Sequence, residues 1–363
     1  MSAPVIIIAE AGVNHNGDVK CAFELIDRAA EAGVDYIKFQ TFKSDKLASK
    51  FVEKAEYQKK LTQCDENQLT MLRKLELSFT DHEKIYKHCL HRGIKFLSTP
   101  FDSDSLDFLT KRLNLDTIKL GSGEITNGPI LLQAAQTKAK LILSTGMSTL
   151  AEIETALAVI AYGCLNKDVP KSDTNFHDAL HKPESWELLR NRVKLLQCTT
   201  EYPAPVEETN LRAMDTIKQA FGLEVGYSDH TKGRAITIAA VARGAQLIEK
   251  HFTLDRTLDG PDHAASVEPN ELKKMVQEIR SVELALGNGI KHPGAHEIEN
   301  RHSVRRSLVA TRDLNAGDTL QGSDLVVKRP GNGIPGTDLW RTIGRTLVRD
   351  ILQDEVIEFQ DLL

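Results

Sequence analysis

Short β-branched and aliphatic runs alternate along the chain with segments of helical period. The runs are VIII (5–8), VDYIKF (34–39), IKFLST (94–99), LDTIKL (115–120), KLILST (140–145), RVKLLQC (192–198), LEVGY (223–227) and AQLIEK (245–250). Between them apolar residues fall three or four apart, as in Val19, Phe23, Ile26 and Ala30, or Ile153, Leu157, Ile160 and Ala161. That spacing puts them on one face of a helix. Eight β-then-α units within residues 1–286 predict a (β/α)8 TIM barrel, an α/β fold whose chemistry gathers where the strands' C-terminal ends meet the following loops. A doubly wound parallel sheet satisfies the same alternation.

The pattern changes after residue 286. Residues 287–302, rich in Gly, His and charge, read as a linker. Residues 303–363 hold short strands broken by Asn-Ala-Gly-Asp and Arg-Pro-Gly-Asn-Gly turns, which predicts a small β-rich module with a limited core that leans on something larger. Two connections, 41–66 and 162–191, are long for a compact domain and read as lids or subunit contacts.

Composition narrows the class without naming a chemistry. Of the 363 residues, 41% are hydrophobic and 27% charged, enough for a large core. The net charge of -5 is well mixed, which argues against a nucleic-acid partner. No apolar stretch approaches the ~20 residues that span a bilayer, and the N-terminus lacks the basic and apolar regions of a secretory signal. The expectation is a cytoplasmic protein with no membrane role. The five cysteines, Cys21, Cys64, Cys89, Cys164 and Cys198, are scattered without a CxxC pair, so neither disulfides nor a thiolate metal site is expected.

The strand ends carry the chemistry. Glu10 closes the first run, Lys38 and Gln40 the second, Lys119 with Gly121-Ser122-Gly123-Glu124 the fourth, and Ser144-Thr145-Gly146 the fifth. Two ammonium groups, hydroxyls and backbone N–H groups on one rim make an anion pocket, because lysine acts as a point charge for phosphate. The seventh and eighth runs end in Ser228-Asp229-His230-Thr231 and Glu249-Lys250-His251. Neighbouring strands lie about 4.8 Å apart, so both imidazoles can reach one ion. Two neutral imidazoles leave positions for water and substrate oxygens, which suits manganese or a similar divalent ion in a Lewis-acid role. Glu249 shares parity with His251 and is expected behind it as a supporting carboxylate. His82, His88, His91, His177, His181, His292, His296 and His302 are expected in solvent; His15 and His263 are loop residues. Together the rim predicts an enzyme acting on a phosphorylated substrate beside a metal ion.

The motifs IIIAEAGVNHNG, IKFQTF, FLSTPFD, IKLGSGEITN, ILSTGM, CTTEYPAP, GYSDHT, IEKHFTLD, GPDHAAS and VKRPGNG, in this order over almost the whole chain, resemble the sialic acid synthase family. The resemblance implies a phosphoenolpyruvate-condensing barrel joined to a C-terminal antifreeze-like (SAF) domain, working as a homodimer in which that domain covers the partner's barrel mouth. It implies that C3 of phosphoenolpyruvate attacks the aldehyde of an open-chain N-acetylated hexosamine, typically N-acetylmannosamine giving N-acetylneuraminate. Water adds at C2 and phosphate leaves with C–O cleavage. Carried over residue by residue, Lys38, Lys119, Ser144 and Ser228 would hold the phosphate and carboxylate, with Ser122 nearby. His230 and His251 would bind manganese, with magnesium or cobalt as substitutes. Glu10 and Glu124 are the candidates for proton transfer and water activation. Gln40, Tyr202 and Asp262 would contact the sugar, and Arg329 would reach its N-acetyl group across the dimer.

Thr200 in CTTEYP, a candidate substrate-binding residue, stands where N-acetylneuraminate-forming members have Asn, which weakens the carry-over of one phosphate contact. This string and the 162–191 segment resemble members that make N,N'-diacetyllegionaminate from a 2,4-diacetamido-2,4,6-trideoxy hexose. Two other classes stand beside the synthase reading. A Schiff-base aldolase would use Lys38 or Lys119 with pyruvate and no metal. A carbohydrate-binding protein would leave the rim without a task.

Overall fold

All eight runs become strands, and all eight pair in parallel. They are β1 (Ile6–Gly12), β2 (Tyr36–Thr41), β3 (Lys95–Pro100), β4 (Thr117–Leu120), β5 (Lys140–Ser144), β6 (Val193–Cys198), β7 (Glu224–Asp229) and β8 (Leu247–His251). The sheet order is β3-β2-β1-β8-β7-β6-β5-β4, a cyclic permutation of chain order, and its two ends, β3 and β4, contact each other. A doubly wound sheet reverses its order partway; a ring does not. The fold is a (β/α)8 barrel. This computed structural model describes residues 3–54, 67–166, 168, 170, 172 and 174–363.

The helices form where caps and periodicity agree. In the helix Val19–Ala32 the Asp18 side chain accepts from the Lys20 backbone N–H, and Gly33 ends the helix at φ 81°, where a side chain would be strained. The buried stripe is Ala22, Leu25, Ile26, Ala29 and Ala32. Of the predicted face, Ile26 lies in it, while Val19, Phe23 and Ala30 are half-buried at its flanks. Three small alanines let the helix approach closely, which a pattern weighted towards large residues misses. The helix Leu150–Leu165 buries Ile153, Leu157, Ile160 and Ala161 as expected. In the long 162–191 connection, helices span Thr174–Leu180 and Pro183–Arg192. Residues 55–66 of the other long connection lie outside the described residues.

The chain divides into Met1–Gly287 and Asn288–Leu363. In the second unit β9 (Ser307–Ala310) pairs antiparallel with β10 (Leu325–Lys328), over a core that includes Leu308, Leu320, Ile334, Leu347 and Ile351. The stretch read as linker carries a helix, Ala295–Val304, started by Glu297 accepting from the Gly294 N–H at 2.9 Å. No helix among the described residues is long and apolar enough to cross a membrane. Cys21, Cys89, Cys164 and Cys198 are free thiols.

Candidate active site

Strand parity builds the inside of the barrel in tiers, because residues two apart point the same way. Ile8, Leu97, Ile142, Leu196 and Leu247 pack together as an aliphatic belt across the interior. Below it opens a separate cavity lined by Ile6, Tyr36 and the strand starts Lys95, Lys140 and Lys194. Above it, two residues further along the strands, stand Glu10, Lys38, Thr99, Lys119, Ser144, Ser228 and Glu249, with His251 two beyond Glu249, all lining one cavity of about 290 Å³. The ladder sets Glu10 opposite Lys38 on one side and His251 on the other. Gly226 on β7 allows this closure, since a Cβ there would stand 2.4 Å from the Leu247 carbonyl oxygen on β8.

The charges form a chain. Lys38 Nζ lies 3.0 Å from Glu10 Oε2 and 3.4 Å from Glu249 Oε2, and Lys119 Nζ lies 3.5 Å from Glu249 Oε1. Lys38 also donates to Thr99 Oγ1 at 3.2 Å, and Ser228 Oγ donates to Glu249 Oε1 at 2.8 Å. The repulsion expected between the two lysines is thus relieved by a carboxylate seated between them. Burial would raise the Glu249 carboxyl, but Lys119, Lys38 and the Ser228 hydroxyl overcome it and hold its pKa down to about 2. Glu10 has one ammonium, Lys38, at close range, and Gln40 Nε2 donates to its Oε1 at 3.4 Å. Burial dominates there, with Glu249 adding repulsion, and pushes its pKa up to about 7. Burial lowers Lys119 because Glu249 compensates only in part. At Lys38 the two carboxylates outweigh burial and raise the ammonium. Both ammonium groups sit out of water, Lys119 with less compensation than Lys38, and a dianion arriving from the mouth would add the missing negative charge.

The histidine side is neutral. Burial lowers His230 to about 4 and His251 well below the ordinary range. His230 Nδ1 donates to the Thr199 carbonyl at 2.6 Å, which leaves its Nε2 lone pair facing the cavity near Ser228 Oγ. The two imidazole centroids are 5.3 Å apart, and Tyr202 packs against both rings. His251 Nδ1 is buried without a hydrogen-bond partner, 3.7 Å from Asp262 Oδ2. Two buried neutral rings, one with an orphaned nitrogen beside a carboxylate, fit a divalent ion. Among the described residues no three His, Cys, Asp or Glu side chains group closely enough to hold one unaided, so water and substrate oxygens would complete its shell.

Twelve of the fourteen anticipated site residues line this cavity: Glu10, Lys38, Gln40, Lys119, Ser122, Ser144, Thr200, Tyr202, Ser228, His230, His251 and Asp262. Glu124 is not among its lining residues. β4 ends in a 3-10 turn, Ser122–Glu124, that breaks strand parity, and the Glu124 carboxylate accepts from Asn127 Nδ2 at 2.6 Å. Arg329 belongs to the second unit, where its Nε donates to the Val304 carbonyl at 3.1 Å. Glu249 is a central charge rather than a support behind His251. Its parity with Lys38 and Lys119 across the ring was the available signal. Gly146 leaves room at the anion end: a Cβ there would stand 2.3 Å from Thr200 Oγ1 and 2.8 Å from Ser122 Oγ. Among the histidines expected in solvent, His82 is fully buried, and His88 pairs with Asp27 at 2.7 Å and stacks on Phe23.

A closed parallel barrel with buried ammonium groups, carboxylates and neutral imidazoles converging at the open rim defines an enzyme class, one that grips a small anion and moves protons beside it. Residues 25–291 match the NeuB family and residues 305–363 match the SAF domain. The chain is 46% identical over 352 residues to the N,N'-diacetyllegionaminic acid synthase of Campylobacter jejuni, covering 97% of this chain and 98% of that protein. It is 44% identical over 346 residues to the enzyme of that name in Legionella pneumophila, covering 95% and 91%. Among solved structures, the N-acetylneuraminic acid (sialic acid) synthetase of Leptospira borgpetersenii, in complex with citrate, aligns with TM-score 0.66 at 34% identity, covering 83% of this chain and 93% of that one. The chain belongs to the NeuB family, with a SAF domain at its C-terminal end, and the resemblance carried by the ten motifs is borne out.

Proposed function

We propose that this enzyme condenses phosphoenolpyruvate with an open-chain N-acetylated hexosamine to give a nonulosonic (sialic-type) acid and phosphate. The single observation that carries the reading is the buried chain Glu10–Lys38–Glu249–Lys119, in which two ammonium groups share carboxylates at the floor of the cavity. A bound dianion would draw both lysines onto phosphate and carboxylate oxygens, assisted by Ser144, Ser228 and the Gly146 region. The C3–C1 bond then forms as the enol π pair attacks the aldehyde, whose oxygen takes up a proton. Water adds to C2 and loses a proton, and the C2–O bond breaks with its electrons leaving on phosphate as the new C2 hydroxyl gives up its remaining proton to become the ketone. Developing positive charge at C2 is met by Glu249, which stays ionised. Glu10, with its pKa near 7 and its place in the lining, is the group suited to hold or release a proton there.

His230 and His251 are the residues that would hold a divalent ion, with Asp262 close by. Manganese bound there, or magnesium or cobalt in its place, would polarise the aldehyde oxygen. Tyr202, Gln40 and Asp262 line the same cavity and would orient the sugar. In a cytoplasmic homodimer the SAF module of one protomer would cover the partner's barrel mouth and bring Arg329 to the N-acetyl group.

N-acetylmannosamine is the simplest acceptor. A second reading, a 2,4-diacetamido-2,4,6-trideoxy hexose, is favoured by the two relatives above 40% identity. The test is phosphate release from phosphoenolpyruvate with each sugar, with and without manganese. Release that depends on the sugar and stops with chelator is expected. A borohydride-trapped pyruvate adduct on Lys38 or Lys119, with no phosphate released, would instead establish the Schiff-base aldolase.

A further inference from the structure

The cavity changes character from floor to mouth. At the floor, every ammonium or guanidinium group in its lining among the described residues is Lys38 or Lys119. Towards the mouth on the β1–β3 side the lining is Val13, Leu47, Met71, Leu72, Leu75 and Phe101, with Gln68 the polar neighbour. Val13, Met71 and Leu75 are buried together with Phe42, while Leu47, Leu72 and Phe101 pack on them half-buried. The hydrophobic face is therefore anchored from behind and open towards the cavity. Nothing in the proton transfer or the anion grip uses it.

We propose that this wall determines acceptor specificity, selecting hexosamines whose far carbons carry acylamido and methyl groups over those carrying hydroxyl or phosphate. The inference rests on the condensation proposed above and extends it to the acceptor's distal end. The aldehyde carbon must meet C3 of an enol ester held at the lysines. The acceptor's C1 is therefore directed to the floor, and C4 to C6 are directed to the mouth. An acetamido methyl at C4 and a methyl at C6 would lie on Leu47, Leu72 and Phe101 and leave water. A hydroxyl in either place would lose its water without gaining a partner on that face. A 6-phosphate would bring two negative charges to a surface whose nearest lining cations among the described residues, Lys38 and Lys119, are at the opposite end of the cavity. Each methyl or methylene group in an apolar pocket discriminates by about 10- to 200-fold.

The experiment compares kcat/KM for three acceptors with phosphoenolpyruvate: 2,4-diacetamido-2,4,6-trideoxymannose, N-acetylmannosamine and its 6-phosphate. Each is run with the unaltered enzyme and with Leu72→Asn, Leu47→Asn and Leu72→Lys. Ratios between sugars within one variant do not depend on how much of it is folded. The unaltered enzyme is expected to favour the diacetamido sugar over N-acetylmannosamine at least about 10-fold, with the 6-phosphate poorest of the three. Leu72→Asn or Leu47→Asn should shrink the first ratio several-fold, chiefly through KM for the diacetamido sugar. Leu72→Lys should raise relative turnover of the 6-phosphate. Preference for N-acetylmannosamine or its phosphate, or ratios unmoved in all three variants, overturns the inference while leaving the condensation standing. Phosphate release with none of the sugars overturns the condensation and the inference with it.

Discussion

Strand β8 carries buried charge on both faces, Lys250 outward beside Asp229 of β7 and Glu249 inward, and the two faces are finished differently. Facing outward, Lys250 and Asp229 are fully buried 3.0 Å apart, and Asp229 also accepts from the Thr231 backbone and from the hydroxyls of Thr231 and Thr237. Lys250 donates to the Thr231 carbonyl as well. Facing inward, Glu249 and Lys119 meet at 3.5 Å, and Glu249 Oε2 and Glu10 Oε2 lie close to Lys38 without an aligned hydrogen bond. The outer pair is held by several aligned hydrogen bonds and serves structure; the inner group is less well bonded and lies where a ligand can enter. A buried charge is costly unless fully partnered, so the tolerated shortfall marks where the partner arrives from outside. Lack of partners alone does not carry that meaning. Neither ring nitrogen of His82 is hydrogen-bonded, yet it is neutral, packed beside Phe108 and outside the lining of the active-site cavity.

The contrast is broken most severely at the inner group. Lys119→Met should lower kcat by about 10³-fold, the scale of losing one charged contact to the reacting group. Its denaturation midpoint should stay near that of the unaltered enzyme, because Glu249 keeps Lys38 and Ser228. A matching fall in stability would make Lys119 a structural charge. Next in size is Asp229→Asn, which strands the Lys250 ammonium. Chemical denaturation should report about 3–5 kcal/mol of lost stability, with kcat per folded molecule retained. Loss of turnover in the folded fraction would deny the division of labour between the faces.

A smaller effect comes from pH. Burial lowers the His82 pKa to about 3 from 6.5. Below pH 6.5 the unfolded chain therefore binds a proton that the folded chain refuses, and stability falls as pH falls until about pH 3. The fall amounts to about 1.4 kcal/mol per pH unit. At pH 4.5 His82→Phe should recover about 2.5 kcal/mol relative to its own pH 7 difference, read from unfolding curves at both values. An unchanged difference would place the ring in water.

The strand ladder was legible because a period of two and the strand ends fix which residues share the barrel interior. Glu10, Lys38, Lys119, Ser228 and His251 follow from that rule alone. Glu249 obeys the same parity, but its seat between two lysines on β2 and β4 depends on ring closure, which no local pattern states. Glu124 falls outside the cavity lining because the parity rule ends with the strand at Leu120, four residues before the turn is complete. The apolar wall was invisible for a different reason. Leu47, Met71, Leu72 and Leu75 lie on two helices around a long connection, and only the folded chain brings them beside Val13 and Phe101. His82 has the polar look of a surface residue on a helix otherwise rich in charge, and its neighbours His15 and Phe108 come from other elements.

The aliphatic belt of Ile8, Leu97, Ile142, Leu196 and Leu247 makes the tube a vessel open at one end. On the condensation proposed above, an anion settling on the two ammonium groups would have to go in ahead of anything leaning on Phe101. The sequence of entry would then be set by five hydrocarbon side chains that touch neither guest.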